Sequence, residues 1–581
     1  MKLYKYIVAG LFGVAALSSC TDLEEHPYTF IDPNAYYNNE AELNSGLNSV
    51  YNAYRSLCND GGTFMRLEGC TDFGQPNREG NKNNINDINA WRYQNQANNA
   101  GTFTSVWTKA LTAIARANNM IDQIQNANIA DNMKARAIAQ CRFLRGCSYY
   151  WMVRIYGGVP IIKEAVKDMS NLEFPRATAD EVYNFIVEDW EYAEANLPTR
   201  GEGGYDVWRA SKGAAQAYLG NLYLYRASMA GAGGYKTYDK ALLNKAAEYC
   251  KKVIDSKVYE LVPDFGNLWC SLNGDAARNT KESIYELQFA PISGQNNGMH
   301  QNFGMFADSV YPVDFVSFGK TLLTGDGDKA SEKGKGDGGS YYYLRTAPSV
   351  EAWLSYDPND QRLKVLISEG TYKKGNNVVH CVYDWTELGT LKGKKGWGSC
   401  CPGNIKFHDF SSDARTALKS GNNFIVMRYA QVLLDYAEIQ NALGNTAVAL
   451  QYLNMVHMRA GLPALTAAAA LELYKDDPTG RADVSSEADA VDEAIFMERG
   501  WEFIGEGVIY YDELRSDRLG KRVGYFVNKY NKMKFNQVLP LEFVPTKHHL
   551  WWIPNNDMNA NSALVQNPEN KEDSRYTHYK N

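Results

Sequence analysis

The 581 residues carry 60 Lys and Arg against 67 Asp and Glu, a net charge of −7. No basic tract of five or more residues occurs, which removes the electrostatic footprint of a nucleic-acid-binding protein. Hydrophobic residues at 45% and charged residues at 22% describe a globular chain with a sizeable core, and the 39 Tyr and 12 Trp give a surplus of rings of the kind that flat-ligand and sugar-binding surfaces use.

In chain order, the first signal is Lys2 and Lys5 followed by an apolar run over 6–17. About a dozen residues are too few to cross a bilayer, which needs about 20, so residues 1–19 read as a secretory signal. The run ends in Leu17-Ser18-Ser19-Cys20, which looks like the lipobox of bacterial lipoproteins and makes Cys20 the expected lipidation site. Two or three acyl chains there would hold a membrane firmly where one would not. Without the signal's two lysines the balance is 58 basic to 67 acidic residues, or −9. Residues 20–39 lack helical periodicity and read as a tether.

The next segment, 40–260, reads as helical. Leu43, Leu47, Val50 and Tyr54 place a helix over 42–57. Residues 58–101 are then dominated by Gly, Asn and Asp, a loop far longer than the usual connection, and loops of that size are commonly functional. Helices are predicted over 103–125 and 133–156, with Trp107 and Trp151 on core positions. The next starts at the capping box Thr178-Ala-Asp-Glu181, carries Trp190 in its apolar stripe and stops at Pro198. Two more are expected over 208–228 and 238–254. Cys141 and Cys147 lie six residues apart on a helix, about 240° around it, and so cannot pair.

The second part, 261–581, opens with loop-rich residues 261–421, with short strands expected at 283–289 and 378–383. Residues 325–339, rich in Gly, Lys and Asp, suggest a mobile loop. Helical character returns over 422–520, beginning with a helix over 424–443. Gly444 ends it, Asn445 or Thr446 opens the next, and Arg459-Ala-Gly461-Leu-Pro463 closes that one with a cation, a C′ glycine and a stopping proline. Residues 521–581 form the tail. Alternating helices of about 15 to 20 residues with short links suggest stacked helix hairpins of the tetratricopeptide kind.

Five segments carry a family resemblance. RYAQVLLDYAEIQNALGN at 428–445 resembles the SusD/RagB pattern R-Y-x-E-x-x-L-x-Y-A-E, and ALQYLNMVHMRAGLP at 449–463 is similar to its following N-x-V-R-x-R-A-G-L-P helix. AIFMERGWEFIGEGVIYYDELR at 494–515, the LWWIPNNDMNANSALVQNPE tail and CRFLRGCSYYWMVRIYGGVPII at 141–162 match further stretches in the same order. Gln431, His457 and Val508 replace an expected Glu, Arg and Arg, departures that touch single helix-surface ion pairs. The resemblance implies a mainly α fold, with about four tetratricopeptide-like helix pairs and a partly irregular second part containing short strands. It also implies a surface-exposed outer-membrane lipoprotein that captures glycan for a SusC-like TonB-dependent transporter. A peptide-capturing member or a surface glycosidase is the alternative.

Among candidate sites, Glu498, Glu502 and Glu506 recur every four residues, yet a glycosidase needs two carboxylates facing each other across a sugar, so ion pairing to Arg499, Arg515 and neighbouring helices is the expectation. No GxSxG, HExxH or GxxxxGKS/T occurs and no cofactor is implied. Asp326-Gly-Asp328 fails as a calcium loop at Ala330, and Cys400, Cys401 and His408 lack a second pair for zinc, so no metal is expected. A pyranose offers an apolar face to Trp or Tyr and rim hydroxyls to polar side chains. Trp91 with Asp72, Arg78, Gln94 and Asn95 supplies both kinds in the long loop, with Tyr93, Trp269, Phe303, Tyr311 and Trp397 as further candidates.

Overall fold

The computed structural model describes residues 37, 39–59, 67–76, 96–168, 172–230, 237–298, 311–317, 320–321, 346–367, 369–374, 377–382, 403–409, 419–477, 482–532 and 550–567. Among the described residues the scaffold helices are α1 (Glu40–Cys58), α2 (Gln96–Gln125), α3 (Asp131–Tyr156), α4 (Ala179–Asn196), α5 (Lys212–Ala230) and α6 (Lys240–Ser256). Each packs on its successor in the chain, so every helix buries one face against the helix before it and one against the helix after. Two further helices, α7 (Tyr429–Ala442) and α8 (Thr446–Arg459), extend the stack, because α7 packs on α6 across the intervening residues. The eight helices make four pairs, the fourth separated in sequence from the first three. Beyond them lie α9 (Ala467–Tyr474), α10 (Glu487–Phe503), α11 (Ile509–Arg515) and α12 (Leu519–Lys532).

Local chemistry sets the helix ends. Asn39 caps α1 by accepting from the Glu42 amide at 3.0 Å, and Glu40 and Glu42 sit in the first turn, where carboxylates complement the helix dipole. The Thr178 box at α4 is reciprocal: Glu181 N donates to Thr178 Oγ1 at 3.2 Å and Thr178 N donates to Glu181 Oε2 at 2.7 Å. Gly461, which follows α8 at φ +85°, takes the left-handed conformation that the Arg-Ala-Gly-Leu-Pro sequence predicts. Trp107, Trp151 and Trp190 are all core residues. Cys141 and Cys147 are buried free thiols, as are Cys58 and Cys250, and Cys70 is buried as well.

Two sequence expectations shift. The helix expected from Phe103 begins at Gln96, inside the segment read as loop, and that segment also holds the three-residue strand β1 (Gly74–Pro76). Phe424–Arg428, expected to be helical, is a strand. It pairs antiparallel with Ser283–Leu287, Phe424 opposite Leu287, and α7 starts only at Tyr429. A five-residue apolar run carries no decisive period, so its partner chose the conformation. The other strands among the described residues form a four-stranded sheet in the order Lys320–Thr321, Tyr311–Ser317, Glu369–Lys374, Asn377–Val382, and two two-stranded pairs, Gly74–Pro76 with Thr346–Pro348 and Leu366–Ile367 with Gly403–Asn404.

Candidate ligand cleft and the charge network behind it

An open cleft of about 570 Å³ lies between α1, the turn before α5 and the chain that continues from strand Ser283–Leu287. Asn48, Tyr51, Asn52 and Arg55, at spacings of three and four, line it from one face of α1. The neighbouring stripe of Leu43, Leu47, Val50 and Tyr54 faces the core. Trp208 forms the opposite aromatic wall, and Gln288, Ser293, Gly294 and Gln295 close the third side.

Trp208 is fixed from below. The Tyr51 hydroxyl donates to Gln140 Oε1 at 2.9 Å and accepts from the Ala210 amide at 3.0 Å, tying the turn to α1 and α3. Burial raises the Tyr51 phenol well above its usual range, so it stays neutral. The Trp208 ring meets Tyr51 at 69°, centroids 5.4 Å apart, and the Arg209 guanidinium sits 4.4 Å from the indole centroid. Arg55 fixes the other wall by donating to the carbonyls of Gln288 at 3.2 Å and Gly294 at 3.3 Å. The Asn48 and Gln295 side chains are exposed and make no hydrogen bond among the described residues. A partly exposed indole, two unengaged amides and an exposed rim therefore share one open cleft.

Behind the cleft the three recurring glutamates are buried. Glu498 accepts from Arg362 Nη1 at 2.6 Å and pairs with His457 Nδ1 at 2.8 Å. Glu502 meets Arg362 at 3.2 Å and also Arg428 and Arg459. Glu506 accepts from Lys406 at 2.8 Å and from Arg428 Nε at 2.9 Å. Glu282 joins them through Arg428 and Arg459, each at 2.9 Å. Burial alone would raise the Glu502 carboxyl, but the guanidiniums of Arg459, Arg428 and Arg362 hold it far below the usual carboxylate range.

The expectation of ion pairs is therefore met, with different partners and in the core rather than on the surface. Arg499 points about 100° away from Glu498 around the helix and binds Asp435 at 2.6 Å and Asp512 at 2.8 Å, while Arg515 binds Glu438 and Asp512. Glu506 lies past the end of α10, in the turn that brings it back beside Glu502. The carboxylates face cations and not one another across an open site.

The other sequence candidates divide. Asp72 is 3% exposed and accepts from Arg522 Nε at 2.9 Å, so it anchors a core ion pair instead of facing ligand. Trp269 is also 3% exposed, packed between Phe265 and Phe407 with the Lys406 ammonium 4.8 Å from its ring, which leaves no face for a sugar. Tyr311 opens a strand of the four-stranded sheet. Arg78, Trp91, Tyr93, Gln94, Asn95, Phe303 and Trp397 lie outside the described residues, as do Cys20, Asp326 and residues 325–339; His408 is buried, and its two cysteine neighbours in sequence are outside as well. The stripe of Asn48, Tyr51, Asn52 and Arg55 was available in the sequence at helical spacing, whereas the apposition of Trp208 and Gln295 is set by packing alone.

Two family models match this architecture. Residues 23–224 match one described as starch-binding associating with outer membrane, and residues 281–569 match the SusD family. The chain belongs to the SusD-like family. SusD-like protein P2 of Formosa agariphila is 26% identical over 471 residues, 79% of this chain and 82% of the relative. A SusD homologue of Bacteroides thetaiotaomicron superposes with a TM-score of 0.70 at 22% identity, covering 92% of this chain and 98% of the homologue. Surface glycan-binding protein A of Bacteroides fluxus superposes at 0.65 with 19% identity, over 91% and 99% of the two chains.

Proposed function

We propose that the protein binds glycan at the cell surface, without turning it over, and delivers it to a SusC-like TonB-dependent transporter while anchored in the outer membrane through Cys20. The observation that carries this reading is the cleft in which the held Trp208 ring stands opposite the unengaged Asn48 and Gln295 amides. Family membership and a structural relative named for surface glycan binding support it.

In this reading a pyranose stacks on the partly exposed Trp208 ring beside Tyr51 while its hydroxyls exchange water for the rim amides. A ring stack contributes on the order of 0.5–1.5 kcal/mol, so one or two with their hydrogen bonds give roughly millimolar to micromolar binding. Weak binding suits delivery, because the ligand must leave for the transporter. Residues of the early loop, Trp91 with Arg78, Tyr93, Gln94 and Asn95, together with Phe303, Tyr311 and Trp397, remain the proposed second contributors to the ligand surface.

The test is a glycan array with the detergent-solubilised full chain and its Trp208→Ala and Trp91→Ala variants. Trp208→Ala should weaken binding of a recognised glycan roughly two- to tenfold. Loss in Trp91→Ala alone would move the site to the early loop. Binding of a peptide library by a wild type that ignores every glycan would refute the glycan reading.

A further inference from the structure

Most buried acids of this molecule face a cation, but Glu513 on α11 does not. Its side chain is fully buried, and neither carboxyl oxygen has a hydrogen-bond donor among the described residues. Its polar neighbour is another acid, Asp72, which faces it with carboxyl and amide. Asp72 is buried too, and its Oδ2 accepts from Arg522 Nε at 2.9 Å.

The cations around the pair are already committed. From α12, Arg522 gives Nε to Asp72, Nη1 to Glu493 at 2.7 Å and Nη2 to the Met497 sulfur at 3.2 Å. From the turn before α12, Arg518 gives Nη2 to Asp492 at 2.6 Å and approaches Glu493 at 3.4 Å. Arg515, on α11 itself, is held by Glu438 and Asp512. Glu68, on the segment that leads to Asp72, accepts from the Gly505 and Gly507 amides. Two guanidiniums thus serve three carboxylates, those of Asp72, Asp492 and Glu493. A charge on Glu513 would be a fourth, uncompensated in the core and against that of Asp72. A buried ion without a partner costs far more than its neutral form, and two carboxylates in one site cannot both ionise. Burial first, and the Asp72 charge second, raise the Glu513 carboxyl well above its usual range.

We propose that Glu513 is a neutral carboxylic acid at neutral pH and donates its proton to Asp72, so that this shared proton fastens the segment around Asp72 to α11 and α12. An O–H donor on a carboxylate makes a short, charge-assisted bond, and it leaves Asp72 as the single charge that Arg522 meets. The fastened segment is a junction. The Ser349 amide donates to the Phe73 carbonyl at 2.8 Å, the Ser349 hydroxyl donates to the Asp72 carbonyl, and strand Gly74–Pro76 pairs with Thr346–Pro348. Loss of the proton sets two like charges against each other there. The sign follows from linkage. Above about 4.3, where an unfolded glutamate ionises, the folded chain holds one proton more than the unfolded chain. The latch therefore contributes fully below about 4.3 and declines as pH rises, until Glu513 itself ionises.

The experiment is infrared spectroscopy of the detergent-solubilised full chain at pH 8, reading the carbonyl stretch of protonated carboxylic acids. The difference between wild type and Glu513→Gln should contain one such band. Asp72→Asn removes the neighbouring charge and lets Glu513 ionise against Arg522, so it should lose the same band. If one variant fails to fold, the other decides. In urea melts between pH 6 and 8, the folding constant of wild type should fall about tenfold more per pH unit than that of Glu513→Gln, whose amide donates to Asp72 without titrating. An empty difference spectrum, a band that persists in Asp72→Asn, or equal pH slopes in wild type and Glu513→Gln would overturn the proposal.

Discussion

Glu502 gives the sharpest test of the difference between a structural and a catalytic glutamate. Its side chain has no exposed surface and touches three guanidiniums, those of Arg362, Arg428 and Arg459. Glu502→Gln keeps the shape and removes the charge, leaving the surrounding cations under-compensated in the core. Breaking one side of a buried pair costs about 3–5 kcal/mol. An unfolding entropy of about 2.1 cal/mol/K per residue over the 581 residues gives about 1.2 kcal/mol/K, so the melting temperature should fall by about 2–4 °C. The effect must also depend on pH with a definite sign. The folded-state pKa of Glu502 is depressed, so its contribution is present above the unfolded value of about 4.3 and disappears as pH falls towards the folded one. Melts followed by circular dichroism at pH 7 and pH 4 should therefore show the gap between wild type and variant narrowing in acid. A variant that melts within about 1 °C of wild type at pH 7, or that abolishes turnover of a bound oligosaccharide while leaving the melt unchanged, would refute the structural assignment.

Glu68 carries the opposite sign. Burial pushes its carboxyl up to about 7 against the stabilising amides of Gly505 and Gly507, so stability present below about 4.3 is lost as pH rises through 7, by about 4 kcal/mol; Glu68→Gln should flatten that decline in urea melts at pH 5 and 8, and parallel profiles would contradict it. A Cβ on Gly500 would lie 2.0 Å from the Phe73 ring, so Gly500→Ala should destabilise by about 1–3 kcal/mol, and Phe73→Leu in the same chain should restore part of the loss if that contact is the cause.

Much of the helical scaffold was legible because its signals are local: the Asn39 and Thr178 caps, the Leu43-Leu47-Val50-Tyr54 stripe and Gly461 each follow from residues a few positions apart. What was not legible depends on distant chain. The first turns of α2, read as loop from the Gly, Asn and Asp content of residues 58–101, are helical in a context that overrides weak propensity. Phe424–Arg428 is a strand because Ser283–Leu287 lies beside it. The partners of Glu498, Glu502 and Glu506 come from residues up to 140 positions earlier in the chain, which no i,i+4 rule can find. Asp72 and Trp269 were misread for the same reason, since a polar residue in a loop segment looks the same in sequence whether it meets solvent or Arg522.

The position of the cleft connects these two levels. One wall belongs to α1, in the first helical pair, and another to the chain after the strand Ser283–Leu287, so neither part of the molecule forms the site alone. The second wall follows directly from Glu282, which accepts from Arg428 and Arg459 one residue before that strand begins. Arg428 ends the partner strand, and the Tyr429 amide donates to the Glu282 carbonyl at 2.8 Å, so the register of the pair and the charge network are fixed by the same residues. Apolar side chains of similar volume could fill this space with little loss of stability, but they would not set which residue of one strand meets which residue of the other. Directional, bidentate contacts at Arg428 do, and a one-residue slip there would turn the side chains that follow Ser283 to the opposite face and misplace Gln288, which Arg55 holds against α1. The buried charges thus bear on the proposed ligand cleft through register: they hold its second wall opposite the first without lining it themselves.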